Sequence, residues 1–222
     1  MRPAEIIKPG YFQHEIDKKR DEFDYHNESI VTHGSPVDVL FIGDSITHLW
    51  EVEDYFRKFG RVVNRGICGD LVELLHRRFA ADVIQLKPRV TVLMVGVNNT
   101  WIMCSTEEAK QEQVEQETCA FILKEYTDIL TNAKAAKLDV LVCSLTPVDC
   151  GLPQNRLIMH VNRELKALAD SFGYAFVDYH PHLTREDGCT LREDLSWDRL
   201  HPHVIGYDIM AKVLTPFLEE RL

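Results

Sequence analysis

Apolar residues along the chain gather in five short runs: VDVLFIGD (37–44), RVVNRGI (61–67), RVTVLMVGV (89–97), DVLVCSLTP (139–147) and YAFVDY (174–179). Near-continuous apolarity, rich in β-branched side chains, suits strands covered on both faces better than the alternation of a half-exposed strand. Between the runs the spacing changes to three and four. Leu71, Leu75, Phe79 and Val83 predict a helix before Pro88, and Val114, Ile122, Tyr126, Ile129 and Leu130 predict a longer one. Ile158, Val161, Leu165, Leu168 and Phe172 predict a third that stops at Gly173, and Met210, Val213 and Phe217 mark the last. Strand and helix patterns that alternate in this way predict an α/β domain in which helices sandwich a parallel sheet. The first 36 residues stand apart: Phe12, Ile16 and Phe23 predict a charged helical extension packed on the domain or on a second subunit, which leaves a homodimer open. With no repeat and no break in composition, residues 1–222 read as a single domain.

Charge narrows the partners. A formal net charge of -10 disfavours nucleic acid or an anionic membrane surface as the main partner, since both repel an acidic protein. No segment approaches the roughly 20 consecutive apolar residues that span a bilayer, and the start lacks a signal-peptide core, so a cytoplasmic location without integral membrane association is expected. Cysteines 68, 104, 119, 143, 150 and 189 form no CxxC pair and sit mostly in apolar segments, which predicts reduced, buried thiols without a disulfide framework.

In an open parallel sheet, ligands gather where the chain leaves the carboxyl ends of the strands. The first run ends in Gly43-Asp44-Ser45-Ile46-Thr47, the second in NRGICGD (64–70) and the third in Gly96-Val97-Asn98-Asn99. Near the C-terminus, Asp198 stands three residues before His201 in SWDRLHPH. Acyl transfer needs a hydroxyl, an imidazole to take its proton and a carboxylate to hold the imidazole in the right tautomer. Ser45, His201 and Asp198 are the candidates, because a three-residue separation around a tight turn lets the carboxylate reach the ring. The oxyanion needs donors fixed in advance, for which Gly69 N–H, the Asn98 side chain and Ser45 N–H are the candidates.

Each piece has a plainer reading. Ser45 can simply cap the next helix, and Asp44 reads as an acceptor of turn N–H groups. Gly66 and Gly69 suit a turn, although no G-x-G-x-x-G or Walker pattern surrounds them to make a nucleotide site. The pairs His180-Pro-His182 and His201-Pro-His203 have a spacing that can bind a metal, yet no cysteine or carboxylate pair nearby completes a ligand set. Thr100 to Met103 form either an apolar wall for an acyl chain or ordinary packing. Cys68 reads as a buried, inert thiol, and the roles of His48 and Trp50, at the pocket mouth or packed beside it, stay open.

Together GDSIT at Ser45, the RGICGD glycine at Gly69, GVNN with Asn98, and DRLHP with Asp198 and His201 resemble, in order and over nearly the whole chain, the SGNH or GDSL hydrolases. The NRGICGD stretch looks most like the branch of platelet-activating-factor acetylhydrolase catalytic subunits and bacterial acetyl esterases. The resemblance implies a three-layer, flavodoxin-like α/β sandwich with a parallel sheet of about five strands. It also implies esterase chemistry on a small-molecule ester, with no metal or organic cofactor, a catalytic triad of Ser45, Asp198 and His201, and an oxyanion hole of Ser45, Gly69 and Asn98. Three positions depart from the family pattern: Leu71 where Thr is frequent, GVNN where GTND is common, and Arg199 where DGLHP has glycine. The expected activity is cleavage of short-chain carboxylic esters such as acetyl esters of carbohydrates or small molecules. The alternatives are a lysophospholipase or thioesterase using the same residues, a metal-dependent hydrolase built on His180, His182, His201 and His203, and a non-catalytic flavodoxin-like binding module.

Overall fold

The structure, a computed structural model, describes residues 4–8 and 20–222. Five parallel strands form its sheet: β1 (Val39–Gly43), β2 (Val62–Gly66), β3 (Val90–Met94), β4 (Val140–Cys143) and β5 (Ala175–Val177), in the order β2-β1-β3-β4-β5. All residues of β1, β3 and β4 are buried, as their unbroken apolar runs require of strands covered on both faces. The strands are shorter than the apolar runs that predicted them.

Helices cover both faces: α1 (Asp21–His33), α2 (Ser45–His48), α3 (Val52–Phe56), α4 (Val72–Asp82), α5 (Gln111–Ala135), α6 (Leu152–Phe172), α7 (His180–Leu183) and α8 (Val204–Glu219). The four helices predicted from periodicity are α4, α5, α6 and α8, and α6 ends at Gly173 as its spacing indicates. The short helices α2, α3 and α7 carry too few residues to show a period. Of the three residues behind the predicted N-terminal helix, Phe12 and Ile16 lie outside the described residues, whereas Phe23 lies on α1 beneath the Arg65 guanidinium, 4.7 Å from its ring centroid.

Register places the site. Gly43 at the end of β1 pairs with Gly66 of β2 and with Met94 of β3, so three strands finish level. Ser45, Gly69 and Asn98 follow those ends by two, three and four residues, which gathers them at the point where strand order reverses. Gly66 allows a close approach there: a Cβ on it would meet His48 N at 2.2 Å, so β2 packs directly against α2.

One expectation fails. Cys119 and Cys143 are buried, but Cys104 is exposed and Cys68, Cys150 and Cys189 are half-buried, because these four sit on loops and 3-10 turns outside the strands. No disulfide forms.

Candidate active site

The chain leaves β1 through Asp44 and enters α2 at Ser45. Asp44, not Ser45, caps this helix: its Oδ1 accepts Ile46 N–H at 3.0 Å, so the Ser45 hydroxyl is relieved of capping. Asp44 is 1% exposed, and burial pushes its carboxyl up to about 7, against hydrogen bonds from the Ile46 and Gly96 N–H groups and with the charge of Asp70 adding to the rise.

Ser45 Oγ lies 2.8 Å from His201 Nε2, and His201 Nδ1 lies 2.5 Å from Asp198 Oδ2. With Nδ1 protonated, the ring donates to Asp198 and accepts the serine proton at Nε2. Asp198 sits in a tight turn in which its Oδ1 also accepts His201 N–H at 2.8 Å, Leu200 N–H at 3.1 Å and the Ser196 hydroxyl at 3.1 Å. Burial opposes the charge on Asp198, but the His201 ring and the His201 and Leu200 N–H groups outweigh it and hold this carboxyl well below the usual carboxylate range. Arg199, where the family pattern has glycine, carries φ 71°, which shows the backbone demand that glycine meets. A bond from the Tyr207 hydroxyl to Ile46 O, 2.8 Å, holds α8 against α2 and so keeps the two halves of the constellation together.

On the opposite side, Gly69 turns with φ 83°, and its N–H makes no hydrogen bond among the described residues. Asn98 Nδ2 donates to Asp70 O at 2.9 Å, which leaves its second amide hydrogen for a ligand. Asn99 secures the same loop, accepting Val72 N–H at 3.1 Å and donating to Glu73 at 2.9 Å. Thus Ser45, His201 and Asp198 are hydrogen-bonded in series, while Gly69 and Asn98 belong to two loops that hydrogen bonds tie together.

A cavity of about 760 Å³ opens next to His201 and Asp198, of the size that holds small ligands. Glu51, Asp54, Tyr55 and Trp197 line it, none of them marked by any periodicity or spacing in the sequence. Trp197, adjacent to Asp198, is 89% exposed and tilts against the His203 ring at 5.2 Å. Trp50, by contrast, belongs to the core, stacked on Tyr207 at 5.3 Å, and His48 is an exposed anchor whose Nδ1 meets Gly66 O at 3.0 Å. Thr100 and Met103 are buried packing residues.

The two His-Pro-His segments do not converge. His201 serves Ser45 and Asp198, His203 caps α8 by accepting Ile205 N–H at 3.3 Å, and His180 is buried with its charged form disfavoured by burial. Among the described residues, the group with metal-ligating geometry is instead His76, Glu125 and Asp128, where Lys124 Nζ lies 3.1 Å from Glu125 and 3.0 Å from Asp128. No helix among the described residues is long and apolar enough to cross a membrane.

The GDSL-like Lipase/Acylhydrolase family profile matches residues 41–209. An acetylxylan esterase from Geobacillus stearothermophilus is 29% identical over 225 residues, covering 84% of this chain and 94% of that protein. The solved acetylxylan esterase from the same organism superimposes with a TM-score of 0.66 at 25% identity, over 82% of this chain and 94% of its own. A protein from Bacteroides fragilis assigned as an acylhydrolase shares the fold with a TM-score of 0.75 at 24% identity, over 94% of this chain and 99% of its own.

Proposed function

The chain belongs to the GDSL-like lipase/acylhydrolase family and is a serine ester hydrolase, and on that premise we propose that Ser45, His201 and Asp198 cleave esters of short acyl groups such as acetylated carbohydrates. The observation that carries this reading is the continuous hydrogen-bond series from Ser45 Oγ through His201 to Asp198. Ser45 Oγ attacks the ester carbonyl as His201 Nε2 takes its proton, and ionised Asp198 stabilises the imidazolium. Ser45 N–H, Gly69 N–H and Asn98 Nδ2 receive the negative oxygen of the tetrahedral intermediate. His201 then protonates the leaving alcohol, and a water activated by the same imidazole releases the acid from Ser45.

The alcohol half occupies the cavity beside His201, where the leaving oxygen is protonated. Exposed Trp197 offers an aromatic face and Glu51 and Asp54 offer hydroxyl acceptors, a combination suited to a neutral polyol rather than to a phosphate-bearing lipid headgroup. The homologous acetylxylan esterase supports an acetylated sugar as the substrate class. A panel of p-nitrophenyl esters from acetate to palmitate, run on wild type and Ser45→Ala, tests both parts. Acetate preference and loss of turnover in Ser45→Ala are expected. Undiminished turnover in Ser45→Ala overturns the mechanism, and a preference for palmitate moves the reading to a lysophospholipase.

A further inference from the structure

Beneath the oxyanion loop lies a guanidinium that the proposed reaction never touches. Arg78 projects from α4, is 2% exposed, and spends its five N–H donors on backbone and carboxylate oxygens. Nε and Nη2 both reach Asp70 Oδ2, at 2.9 and 2.6 Å. Nη2 also donates to Gly43 O at 3.1 Å, and Nη1 donates to Arg65 O at 2.9 Å and to Asp82 Oδ2 at 3.2 Å.

Three of these acceptors, Gly43, Arg65 and Asp70, belong to the parts that must stay in register for catalysis. Gly43 ends β1 two residues before Ser45, Arg65 lies at the end of β2, and Asp70 is the neighbour of Gly69. The Asp70 carbonyl is held from the other side by Asn98 Nδ2. The loop that presents Gly69 N–H is therefore fastened between an amide on the β3 side and a guanidinium tied to both other strands.

We propose that Arg78 is the positioning residue of the oxyanion hole, holding Gly69 and Asn98 in place relative to Ser45. The proposal rests on the serine-esterase reading above. A fixed donor stabilises the oxyanion because no reorganisation is needed at the moment of reaction, so a loop that drifts loses that advantage without losing substrate contacts. Arginine alone can do this: a lysine has three donors from one nitrogen and cannot reach Gly43 O, Arg65 O and Asp70 from one plane.

Asp82 supplies the control. It is fully buried and joins Arg78 to the N-terminal side of the molecule, accepting from Arg20 Nη2 at 2.8 Å and Asn27 Nδ2 at 3.2 Å, away from Ser45. Its loss weakens the ion network but leaves the Arg78 bonds to Gly43, Arg65 and Asp70.

Arg78→Lys, Asp82→Asn and Ser45→Ala are compared on p-nitrophenyl acetate, with thermal midpoints and binding of an alkylboronate, which mimics the tetrahedral intermediate. Arg78→Lys is expected to lower kcat by about 10- to 100-fold, the scale of a misplacement near 1 Å, with KM within about threefold. Boronate affinity falls in the same proportion while the pH dependence of kcat is retained. Asp82→Asn lowers the midpoint but keeps kcat within about threefold. Should Arg78→Lys not fold, Asp70→Asn, which keeps the shape of the clamp with a neutral acceptor, is expected to show the same pairing of lower kcat and weaker boronate binding at unchanged KM. Folded Arg78→Lys with wild-type kcat overturns the proposal, as does an Asp82→Asn loss equal to that of Arg78→Lys. Turnover in Ser45→Ala overturns the esterase reading itself, whereas an inactive Ser45→Ala beside an unaffected Arg78→Lys overturns only the role of Arg78.

Discussion

Arg199 holds a backbone conformation, φ 71°, that few side chains accept. A left-handed residue costs roughly 1–2 kcal/mol unless it is glycine, and a β-branched one is worse. Its neighbour Asp149 offsets part of this, donating N–H to Arg199 O at 2.9 Å and standing 3.5 Å from Nε. Arg199→Gly is therefore expected to keep stability within about 1 kcal/mol and to keep activity, because strain relief and the loss of an exposed ion pair nearly cancel. Arg199→Val is expected to lose about 1–2 kcal/mol and to lower kcat by displacing His201; denaturant midpoints and initial rates check both, and equal behaviour of the two variants refutes the strain argument. Asn98 belongs to the same scale. Its amide ties Asp70 and, in the proposed mechanism, faces the oxyanion position, so Asn98→Ala is expected to lower kcat about 10²- to 10³-fold with KM nearly unchanged, the usual consequence of losing one such donor.

The turn from β1 into α2 explains how a four-residue helix can carry the proposed nucleophile. Asp44 absorbs the orphan N–H groups of Ile46 and Gly96, and its burial leaves the Ser45 hydroxyl to His201 alone. The raised carboxyl of Asp44 has a thermodynamic signature. With a folded value of about 7 against 3.8 unfolded, the folded state binds the extra proton between those values, so stability from this group is complete below 3.8 and declines as pH rises to 7. Asp44→Asn keeps an N-capping amide but cannot titrate. Unfolding free energies measured from pH 4 to 7 are thus expected to fall more steeply in wild type than in Asp44→Asn, and parallel curves rule the assignment out. How much of this turn is legible in the sequence is instructive. Asp44 is read correctly as an acceptor of turn N–H groups, but Ser45 is buried, 5% exposed, and the capping role offered to it goes to Asp44, since only the local φ and ψ decide which of two adjacent polar residues lies one step outside the helix.

Across the whole molecule, the proposed preference for neutral alcohols draws on a net charge of -10 and the cleft carboxylates Glu51 and Asp54. Acetyl esters of a neutral sugar are expected to be turned over with higher kcat/KM than the same esters bearing a phosphate. The gap should narrow as salt rises, because screening shortens from about 30 Å at 0.01 M to about 3 Å at 1 M. A salt-independent ratio places the discrimination in contacts rather than in the field. The buried ion network from Arg20 through Asp82 and Arg78 to Asp70 is the other feature of this scale, joining α1 to the catalytic end of the sheet.

By itself the sequence determined the layer architecture, because apolar periodicity records which faces are covered, and it marked Ser45, Gly69, Asp198 and His201 as candidates through strand ends and a short turn, signals that span only a few residues, with Asn98 favoured only through the family resemblance. Tertiary structure alone decided that Arg78 joins Gly43, Arg65 and Asp70, that Trp197, Glu51 and Asp54 share one cleft, and that His201 bonds Ser45 while His203 caps α8. Those outcomes depend on strand order and register, which bring residues far apart in the chain within hydrogen-bond reach and which no local pattern encodes.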